Sequence, residues 1–197
     1  MKLPNVIGLA GQKGVGKDTA AAWFVERGYT RSGFSDPLKF MLNQAFGWSM
    51  NDWEDREWKE ATCVVTHGAE SFLPLPCPGS PRHFAQWLGT EVVRNNFGQN
   101  AWVDLWKQKW HSAGQPRVIV PDVRFQNEVD AIHSVGGIVI RITRGVYDGE
   151  LFFAHDGELE HRPHDSERTG ELRNIDHHIE NNGTVAELHE ALGRLLA

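Results

Sequence analysis

The stretch that decides the fold is Val6-Ile-Gly-Leu-Ala-Gly-Gln-Lys-Gly-Val-Gly-Lys-Asp-Thr19. Its first five residues form a short apolar run, which predicts a buried parallel strand. Residues 11–17 match the pattern G-x-x-x-x-G-K, and residues 18–27 read as a helix that stops at Gly28. A strand, a glycine-rich loop and a helix in this order predict a loop that binds phosphate groups.

The chemistry of this loop follows from its residue types. Glycines let backbone N–H groups turn inward around phosphates, and the start of the next helix adds positive potential. Lys17 is expected to neutralise the β- and γ-phosphates of ATP. The residues predicted to bind ATP here are Gly11, Gly14, Val15, Gly16, Lys17, Asp18 and Thr19. A glycine-rich turn without a ligand is the alternative, but motif, strand and helix coincide.

One position departs from the commonest form of the motif. A Ser or Thr usually follows the lysine and holds Mg²⁺, whereas this chain has Asp18 and then Thr19. Because Mg²⁺ favours oxygen ligands, Asp18 could hold it directly or through a water, while Thr19 is better placed to reach a phosphate oxygen. Asp122 ends a second apolar run and is the other candidate metal ligand, with a cap on the next turn as its alternative role.

Strand and helix signals alternate along the rest of the chain, which predicts an α/β fold with a parallel sheet covered on both faces. Further strands are predicted at 29–34, 118–122, 138–142 and 175–179. Further helices are predicted at 37–46, 82–97, 101–111 and 126–135, and from a capping box at Thr184-Val-Ala-Glu187. The chain is interpreted as a single domain, in which residues 48–81 are an insertion or an acceptor-binding region.

The composition argues against several classes of protein. The 197 residues have a net charge of −6, which does not favour a nucleic-acid polymer as partner. No secretory signal or membrane span is apparent in the sequence. Cys63 and Cys77 match no metal or disulfide pattern, which suits a cytoplasmic protein. The oligomeric state stays open, with a homodimer among the possibilities.

Two groups of residues suggest an acceptor that carries a phosphate. Asp36 lies at the start of a predicted helix and could accept a proton from the acceptor, and Lys39 follows on the same face. Farther along, Glu91 and Arg94 are three residues apart, so helical spacing predicts a shared face. The basic pair in this stretch, Arg82 and Arg94, could grip an acceptor phosphate, although a solvated ion-pair face fits the pattern equally well.

The polar segment 145–170 is predicted to be a lid. Arg144, Arg162 and Arg168 could fold over the transferred phosphate, stabilise charge in the transition state and exclude water. The segment also contains possible zinc donors, namely His155, Asp156, Glu160, His161 and His164. Their spacing fits no tight zinc pattern, so a polar lid is the preferred interpretation.

The sequence resembles the phage-type deoxynucleoside monophosphate kinases over nearly its whole length. Each shared motif is short, but their order and spacing together are specific. The motifs are Gly14-Val-Gly-Lys-Asp-Thr19, Phe34-Ser-Asp-Pro-Leu-Lys39, Arg82-His-Phe-Ala-Gln-Trp-Leu-Gly-Thr-Glu91 with Arg94 and Trp102-Val103, Asp122-Val-Arg-Phe-Gln-Asn-Glu128, Gly136-Gly-Ile-Val-Ile-Arg-Ile-Thr-Arg144, His164-Asp-Ser-Glu167 and Asn182-Gly-Thr184. Residues 48–81 carry none of them.

This resemblance implies a P-loop kinase fold and transfer of the γ-phosphoryl group of ATP, bound with Mg²⁺, to the 5′-phosphate of a deoxynucleoside monophosphate. The residues it implies to be catalytic are Lys17, Asp36, Arg124 and Arg144, and the implied metal ligands are Asp18 and Asp122. The residues implied to contact the acceptor are Asp36, Lys39, Arg82, Gln86, Glu91, Arg94 and Trp102. The loop at Asn182 and Gly183 would pass the adenine. A phage-encoded enzyme of this kind would act in the host cytoplasm.

Other functions stay open on the sequence alone. One is a P-loop kinase for a coenzyme precursor or phosphomevalonate, which the motif at residues 82–91 argues against. Another is a regulatory or DNA-packaging protein that binds nucleoside triphosphates, against which the acidic charge counts modestly. A third is a histidine-rich metal-binding module. Base selectivity is also open, and Trp48, Trp53 and Trp58 could supply stacking for a base.

Overall fold

A computed structural model describes residues 4–61, 80–145 and 169–195. Five parallel strands form one sheet in the order β2-β3-β1-β4-β5. The strands are β1 Val6–Ala10, β2 Thr30–Arg31, β3 Val118–Val123, β4 Ile138–Thr143 and β5 His177–Glu180. The predicted α/β fold with a parallel sheet is therefore confirmed.

Helical segments make up most of the remaining described chain. The α-helices are α1 Lys17–Val25, α2 Asp36–Phe46, α3 Arg56–Glu60, α4 Pro81–Trp87, α5 Asn95–Phe97, α6 Ala101–Ser112, α7 Gln126–Ser134 and α8 Val185–Leu195. Short 3₁₀ turns lie at Asp52–Glu54 and Thr169–Glu171. Between α4 and α5 the backbone is π-helical over Leu88–Arg94. The predicted lid falls almost entirely on residues 146–168, which lie outside the described part.

Strands β3 and β4 end one residue later than predicted, and two other strands differ by more. The strand predicted at 29–34 is paired only over Thr30–Arg31, because the chain then turns and the Phe34 N–H bonds to the Asp122 carboxylate instead of a strand partner. The last strand begins two residues later than predicted. Asn174 has a left-handed backbone with φ of 57°, and regular strand geometry begins only after that turn.

The chain divides into two compact units, which we describe separately. The sheet unit consists of Met1–Phe34 and Lys107–Ala197, and the helical unit is Ser35–Trp106. The single-domain interpretation stays a prediction.

The sheet unit has helices on both faces of its sheet. Ile7 and Leu9 are fully buried in a cluster that includes residues of α1 and α8. Gly8 lies between them and faces the other way, because side chains alternate along a strand. A Cβ at Gly8 would lie 2.4 Å from the Ile132 Cδ1 of α7. Helix α7 therefore packs on the face opposite α1 and α8, so closely that a larger residue at position 8 would force the Ile132 side chain to move.

The core of the helical unit is aromatic. Leu38, Leu42 and Phe46 on α2 pack in a cluster with Trp53 and other buried rings. Half-buried tryptophans surround it, and the centroid of the Trp48 ring lies 5.6 Å from that of Trp53 and 5.1 Å from that of Trp58. The buried Trp53 indole donates a 2.8 Å hydrogen bond to Asn43. These rings pack against one another, so base stacking by them stays a hypothesis.

Candidate nucleotide-binding site

The register of the sheet brings the predicted donor residues to one edge. Ala10 pairs with Val123 on one side and with Arg141 on the other, and Thr143 pairs with Glu180. The residues that follow β1, β3, β4 and β5 therefore leave the sheet at its carboxyl edge. In folds of this class, ligands bind at that edge.

The glycine-rich loop joins β1 to α1 at this edge, and at two of its glycines a side chain would also meet neighbouring atoms. Gly11 has a φ of 145°, and a Cβ there would lie 2.2 Å from the carbonyl oxygen of Ile142 on β4. Gly16 has a φ of 103° and immediately precedes the first residue of α1. Side chains at either position would meet both steric contact and an unfavourable backbone conformation. The loop is thus closely held between β4 and the start of α1.

Lys17 lies across this loop. Its ammonium donates to the carbonyl oxygens of Gly11 at 2.8 Å and Gln12 at 2.6 Å. Phosphate oxygens are stronger, charged acceptors for an ammonium than carbonyls are. A bound triphosphate would therefore compete for a group that the loop already holds in place.

Asp18 lies in the first turn of α1, where a carboxylate interacts favourably with the helix dipole. It is exposed and forms an ion pair with Arg31, the last residue of β2. The sequence analysis did not single out Arg31. Arg31 lies inside the strand predicted at 29–34, so its position gave no signal, whereas the observed strand ends at this residue.

Asp122 supports the loop that follows β2. Its Oδ1 accepts a 3.0 Å hydrogen bond from the Phe34 N–H, and a Cβ at Gly33 would lie 2.7 Å from its Oδ2. The alternative role in the sequence analysis was a cap on the next turn. Glu128 caps that turn, since it accepts from the backbone N–H of Arg124 at 2.7 Å and of Phe125 at 3.0 Å. Asp122 as a metal ligand stays a prediction.

Glu128 is a second residue whose role the sequence analysis missed. It is a carboxylate on α7 with only 4% of its surface exposed. Its two bonds to backbone N–H groups fix the backbone at Arg124, directly after β3. Burial of a carboxylate costs free energy unless hydrogen bonds compensate for it. The two bonds from backbone N–H groups provide this compensation and hold the turn after β3 in place.

Arg144 supports the loop between β5 and α8. Its Nε donates to the carbonyl of Asn181 at 2.9 Å, and a terminal nitrogen approaches the carbonyl of Gly183 at 3.4 Å. The neighbouring Gly145 N–H donates to the Asn182 side chain at 2.7 Å. This is the loop predicted to pass the adenine. The lid arginines at 162 and 168 lie outside the described residues, as do the histidines considered for zinc.

The candidate acceptor residues lie in the helical unit. Asp36 and Lys39 are half-buried in the first turn of α2, one helical turn apart as predicted. Arg82 forms a 2.7 Å ion pair with Glu60 of α3. Gln86 is four residues after Arg82 on α4, so both lie on one face of that helix. A phosphate on this face would have to compete with Glu60 for the Arg82 guanidinium.

Glu91 and Arg94 do not share a face as the α-helical spacing predicted. They lie in the π-helical segment, where hydrogen bonds span five residues and neighbours three apart diverge. Glu91 is exposed, whereas Arg94 is 4% exposed and donates a 2.9 Å hydrogen bond to Gln99. The residue types gave no signal of this change in helix type. Their acceptor-binding roles stay predictions, but as separate contacts.

Trp102 is buried in the helical unit, and its contact with the acceptor stays a prediction. Its side chain is 6% exposed, and its indole N–H donates a 2.9 Å hydrogen bond to the carbonyl of Gly89 in the π-helical segment. A Cβ at Gly89 would lie 2.9 Å from Leu38, so the segment, α2 and α6 are closely packed here. Trp102 therefore supports the backbone that carries Glu91.

Two negative observations apply to residues 4–61, 80–145 and 169–195 alone. No group of three or more His, Cys, Asp or Glu side chains there could hold a metal ion. None of the helices in that part is both long and apolar enough to cross a membrane. A cytoplasmic location and the oligomeric state stay predictions.

A glycine-rich, phosphate-binding type of loop at the carboxyl edge of a parallel sheet is typical of nucleotide-binding α/β proteins. Comparison with known proteins identifies the family within this class. Residues 78–192 match the family model described as deoxynucleotide monophosphate kinase. The chain is 29% identical to a protein of Acanthamoeba polyphaga mimivirus provisionally named a deoxynucleotide monophosphate kinase, covering 95% of this chain and 93% of that protein. It is 32% identical to the deoxynucleotide monophosphate kinase of Enterobacteria phage T4 over 99 residues, which cover 41% of each chain. A crystal structure of a protein from Thermus thermophilus aligns with a TM-score of 0.48 at 15% identity, over 99% of this chain and 97% of that one.

The family match spans more than half of the chain, so this chain belongs to the deoxynucleotide monophosphate kinase family. It is accordingly a kinase that acts on deoxynucleoside monophosphates, which confirms the family and the activity predicted from the sequence. The roles of individual residues are a separate question.

Proposed function

We propose that the chain carries the γ-phosphoryl group from ATP bound on residues 11–19 to the 5′-phosphate of a deoxynucleoside monophosphate bound by residues of α2, α4 and the π-helical segment. The observation that carries the donor assignment is the Lys17 ammonium, which lies on the carbonyls of its own glycine-rich loop at the start of α1. The acceptor assignment rests on the family match, which includes α4 and the π-helical segment.

The donor would be held mainly by backbone. The amides of a glycine-rich loop and the N-terminus of α1 together provide N–H donors and positive potential for phosphate oxygens. Lys17 would leave the two loop carbonyls for the β- and γ-phosphates, where its charge is worth most as the γ-phosphoryl group departs. Arg144 would keep the adenine loop in place through the carbonyls of Asn181 and Gly183.

The residues at this edge suit Mg²⁺, although the ion itself is part of the proposal. Mg²⁺ favours carboxylate and hydroxyl oxygens together with waters and phosphates. Asp18 and Asp122 offer carboxylates, and Thr19 offers a hydroxyl. When bound with ATP, Mg²⁺ would neutralise charge on the bridging phosphate oxygens.

The acceptor phosphate needs little activation. Its oxygens are already largely ionised near neutral pH, because the second pKa of such a phosphate is about 6. Positioning for an in-line attack and neutralisation of charge are then the main tasks of the protein. Arg82, Gln86 and Glu91 would orient the nucleotide, and Arg124 would meet phosphate oxygens after β3. Asp36 would accept a hydrogen bond from a protonated acceptor phosphate.

A coupled assay of ADP release tests this function. The four deoxynucleoside monophosphates, the matching ribonucleotides, phosphomevalonate and a coenzyme precursor would each be offered with ATP and Mg²⁺. ADP release that depends on a deoxynucleoside monophosphate, and is much weaker with the other acceptors, is the expected result. ADP release that does not depend on any monophosphate would contradict the proposal and favour a P-loop NTPase.

A further inference from the structure

Asn181 occupies an unusual position for an uncharged polar residue. It directly follows β5 at the carboxyl edge, and only 5% of its surface is exposed. A buried amide is stable only when its donors and acceptors find partners. The identity of those partners therefore indicates what the residue is for.

The backbone of Asn181 is fixed by the end of β4. Its N–H donates to the carbonyl of Thr143 at 2.7 Å, and its own carbonyl accepts from the Arg144 guanidinium at 2.9 Å. Two consecutive residues at the end of the neighbouring strand thus hold the backbone of Asn181 on both sides of its Cα. The Asn181 side chain consequently extends from a backbone that hydrogen bonds hold in place.

The side chain of Asn181 reaches the phosphate loop. Its Nδ2 donates a 2.8 Å hydrogen bond to the carbonyl of Val15, a contact buried from solvent. A Cβ built on Gly16 would lie 2.5 Å from that same Nδ2, so the amide fits directly against the glycine. Because a carbonyl can only accept, the position requires a donor there, which asparagine has and aspartate lacks.

The bond to Val15 has a geometric consequence for Gly16. In a planar trans peptide the C=O and the following N–H point in opposite directions. No cis peptide occurs among the described residues. When Asn181 holds the Val15 carbonyl on its own side, the Gly16 N–H must point away from Asn181. Asn181 thereby controls the direction of one donor in the phosphate loop.

We propose that Asn181 is a positioning residue that keeps the peptide between Val15 and Gly16 in the orientation that aims the Gly16 N–H at a phosphate of ATP. The inference rests on the proposed donor site at residues 11–19. It adds a residue outside the glycine-rich motif, and it links the end of β5 to the phosphate loop. Loss of the amide donor would let this peptide rotate, helped by the conformational freedom of glycine.

The decisive variant is Asn181→Asp, which keeps the size of the side chain but places an acceptor against the Val15 carbonyl. Binding of ATP and of ADP would be measured by calorimetry without acceptor, and KM would be measured for ATP and for the deoxynucleoside monophosphate. We expect the Kd for ATP to rise about tenfold or more, equivalent to about 1.4 kcal/mol. The KM for the monophosphate should change less than about twofold.

The matched control is Asn5→Asp, an exposed residue before β1 in the same unit, which should leave ATP binding unchanged. Asn181→Ser is a milder second variant, because its hydroxyl is too short to span to Val15 and it adds no charge. Melting temperatures would accompany all measurements. The serine variant should also lose ATP affinity, so it tests the inference even if the aspartate variant does not fold.

Unchanged ATP affinity in a folded Asn181→Asp or Asn181→Ser protein would overturn the inference. An equal loss for ATP and for the monophosphate would also overturn it, because that is the pattern of a general structural defect. The binding arm is independent of catalysis. If the wild-type protein bound ATP but phosphorylated no monophosphate, the proposed function would fail while ATP binding by the variants would still decide the role of Asn181.

Discussion

The sheet unit and the helical unit position their candidate residues by different physical means. In the sheet unit, the candidates follow strand ends, and hydrogen bonds between side chains and the backbone fix the loops that carry them, as Asn181 and Glu128 show. In the helical unit, the candidates lie on helix faces, where direction depends on the helical repeat. A change from α- to π-helix between Leu88 and Arg94 is enough to separate two side chains that α-helical spacing would bring together.

This contrast has a practical meaning for function. A loop motif specifies its own conformation through glycines, so its residues can be assigned locally. A helical face can be assigned only once the type of helix is known. Variants in each unit should therefore separate donor effects from acceptor effects.

The largest effect is expected for Lys17→Ala in the sheet unit. Removing the ammonium deletes a charge contact that should be strongest in the transition state, so turnover should fall about a hundredfold or more, equivalent to about 2.7 kcal/mol. Steady-state kinetics with ATP and a deoxynucleoside monophosphate would measure it. Lys109→Ala, an exposed lysine on α6, is the control and should keep wild-type turnover. Near-normal turnover of the Lys17 variant would mean that the loop is not part of the active site.

A smaller and more selective effect is expected for Glu91→Gln in the helical unit. If Glu91 contacts the acceptor, loss of its charge should raise the KM for the deoxynucleoside monophosphate about tenfold, as for a hydrogen bond to a charged group. The KM for ATP should stay within about twofold. Glu54→Gln, also exposed and in the same unit, is the matched control. A rise in the KM for ATP alone would mean that the division between donor and acceptor residues is wrong.

The sequence predicted the sheet unit well because its signals are local. The apolar run at Val6, the glycine-rich loop and the capping box at Thr184 each specify a structure within a few residues, and the protein contains all three. The end of β2 was harder to predict, because it depends on a contact between Phe34 and Asp122, 88 positions away. Contacts of that kind have no local pattern.

The candidate site, like the fold, was predictable where its signals are local. Lys17 and its loop follow from a motif, but Asn181 and Arg31 act through contacts with Val15 and Asp18 that no spacing reveals. Glu128 caps the start of its own helix, and its role was missed although the contact is local. In the helical unit, residue type alone does not distinguish a buried tryptophan such as Trp102 from an exposed one that binds a ligand. Only the packing around the ring distinguishes them. The Trp102 bond to Gly89 is part of that packing.

A third prediction concerns a support of the sheet unit that should affect stability and leave selectivity intact. Thr184 begins α8 by a capping box, in which its N–H donates to Glu187 at 2.7 Å and its hydroxyl accepts from the Glu187 N–H at 3.3 Å. Thr184→Ala should lower the free energy of unfolding by about 1 kcal/mol, typical of a lost N-cap. Denaturant unfolding would measure it. Unchanged stability would mean that the cap contributes nothing to the free energy of unfolding. A changed ratio of the KM for ATP to the KM for the monophosphate would mean that this helix is part of the donor site.

The smallest expected effect depends on pH and lies at the amino edge of the same sheet, away from the phosphate loop. Asp176 precedes β5 and accepts hydrogen bonds from the Val139 N–H at 2.7 Å and from His133 at 2.8 Å. Burial alone would raise the pKa of Asp176, but the bonds from Val139 and His133 and the nearby charge of His133 outweigh it, so the pKa lies below its usual value.

A carboxyl whose pKa is lowered on folding stabilises the protein above its unfolded pKa, about 3.9, and loses that contribution as the pH falls through the folded value. Asp176→Asn should therefore be less stable than the wild type at pH 7. The difference should shrink as the pH falls below about 4 towards the folded pKa, because the unfolded wild-type chain then binds a proton that the folded carboxyl does not yet bind. Urea unfolding at pH 7, 5 and 3.5 would follow it. A difference that stayed constant across this range would show that shape and hydrogen bonding alone, and not the charge of Asp176, hold the start of β5 against β4.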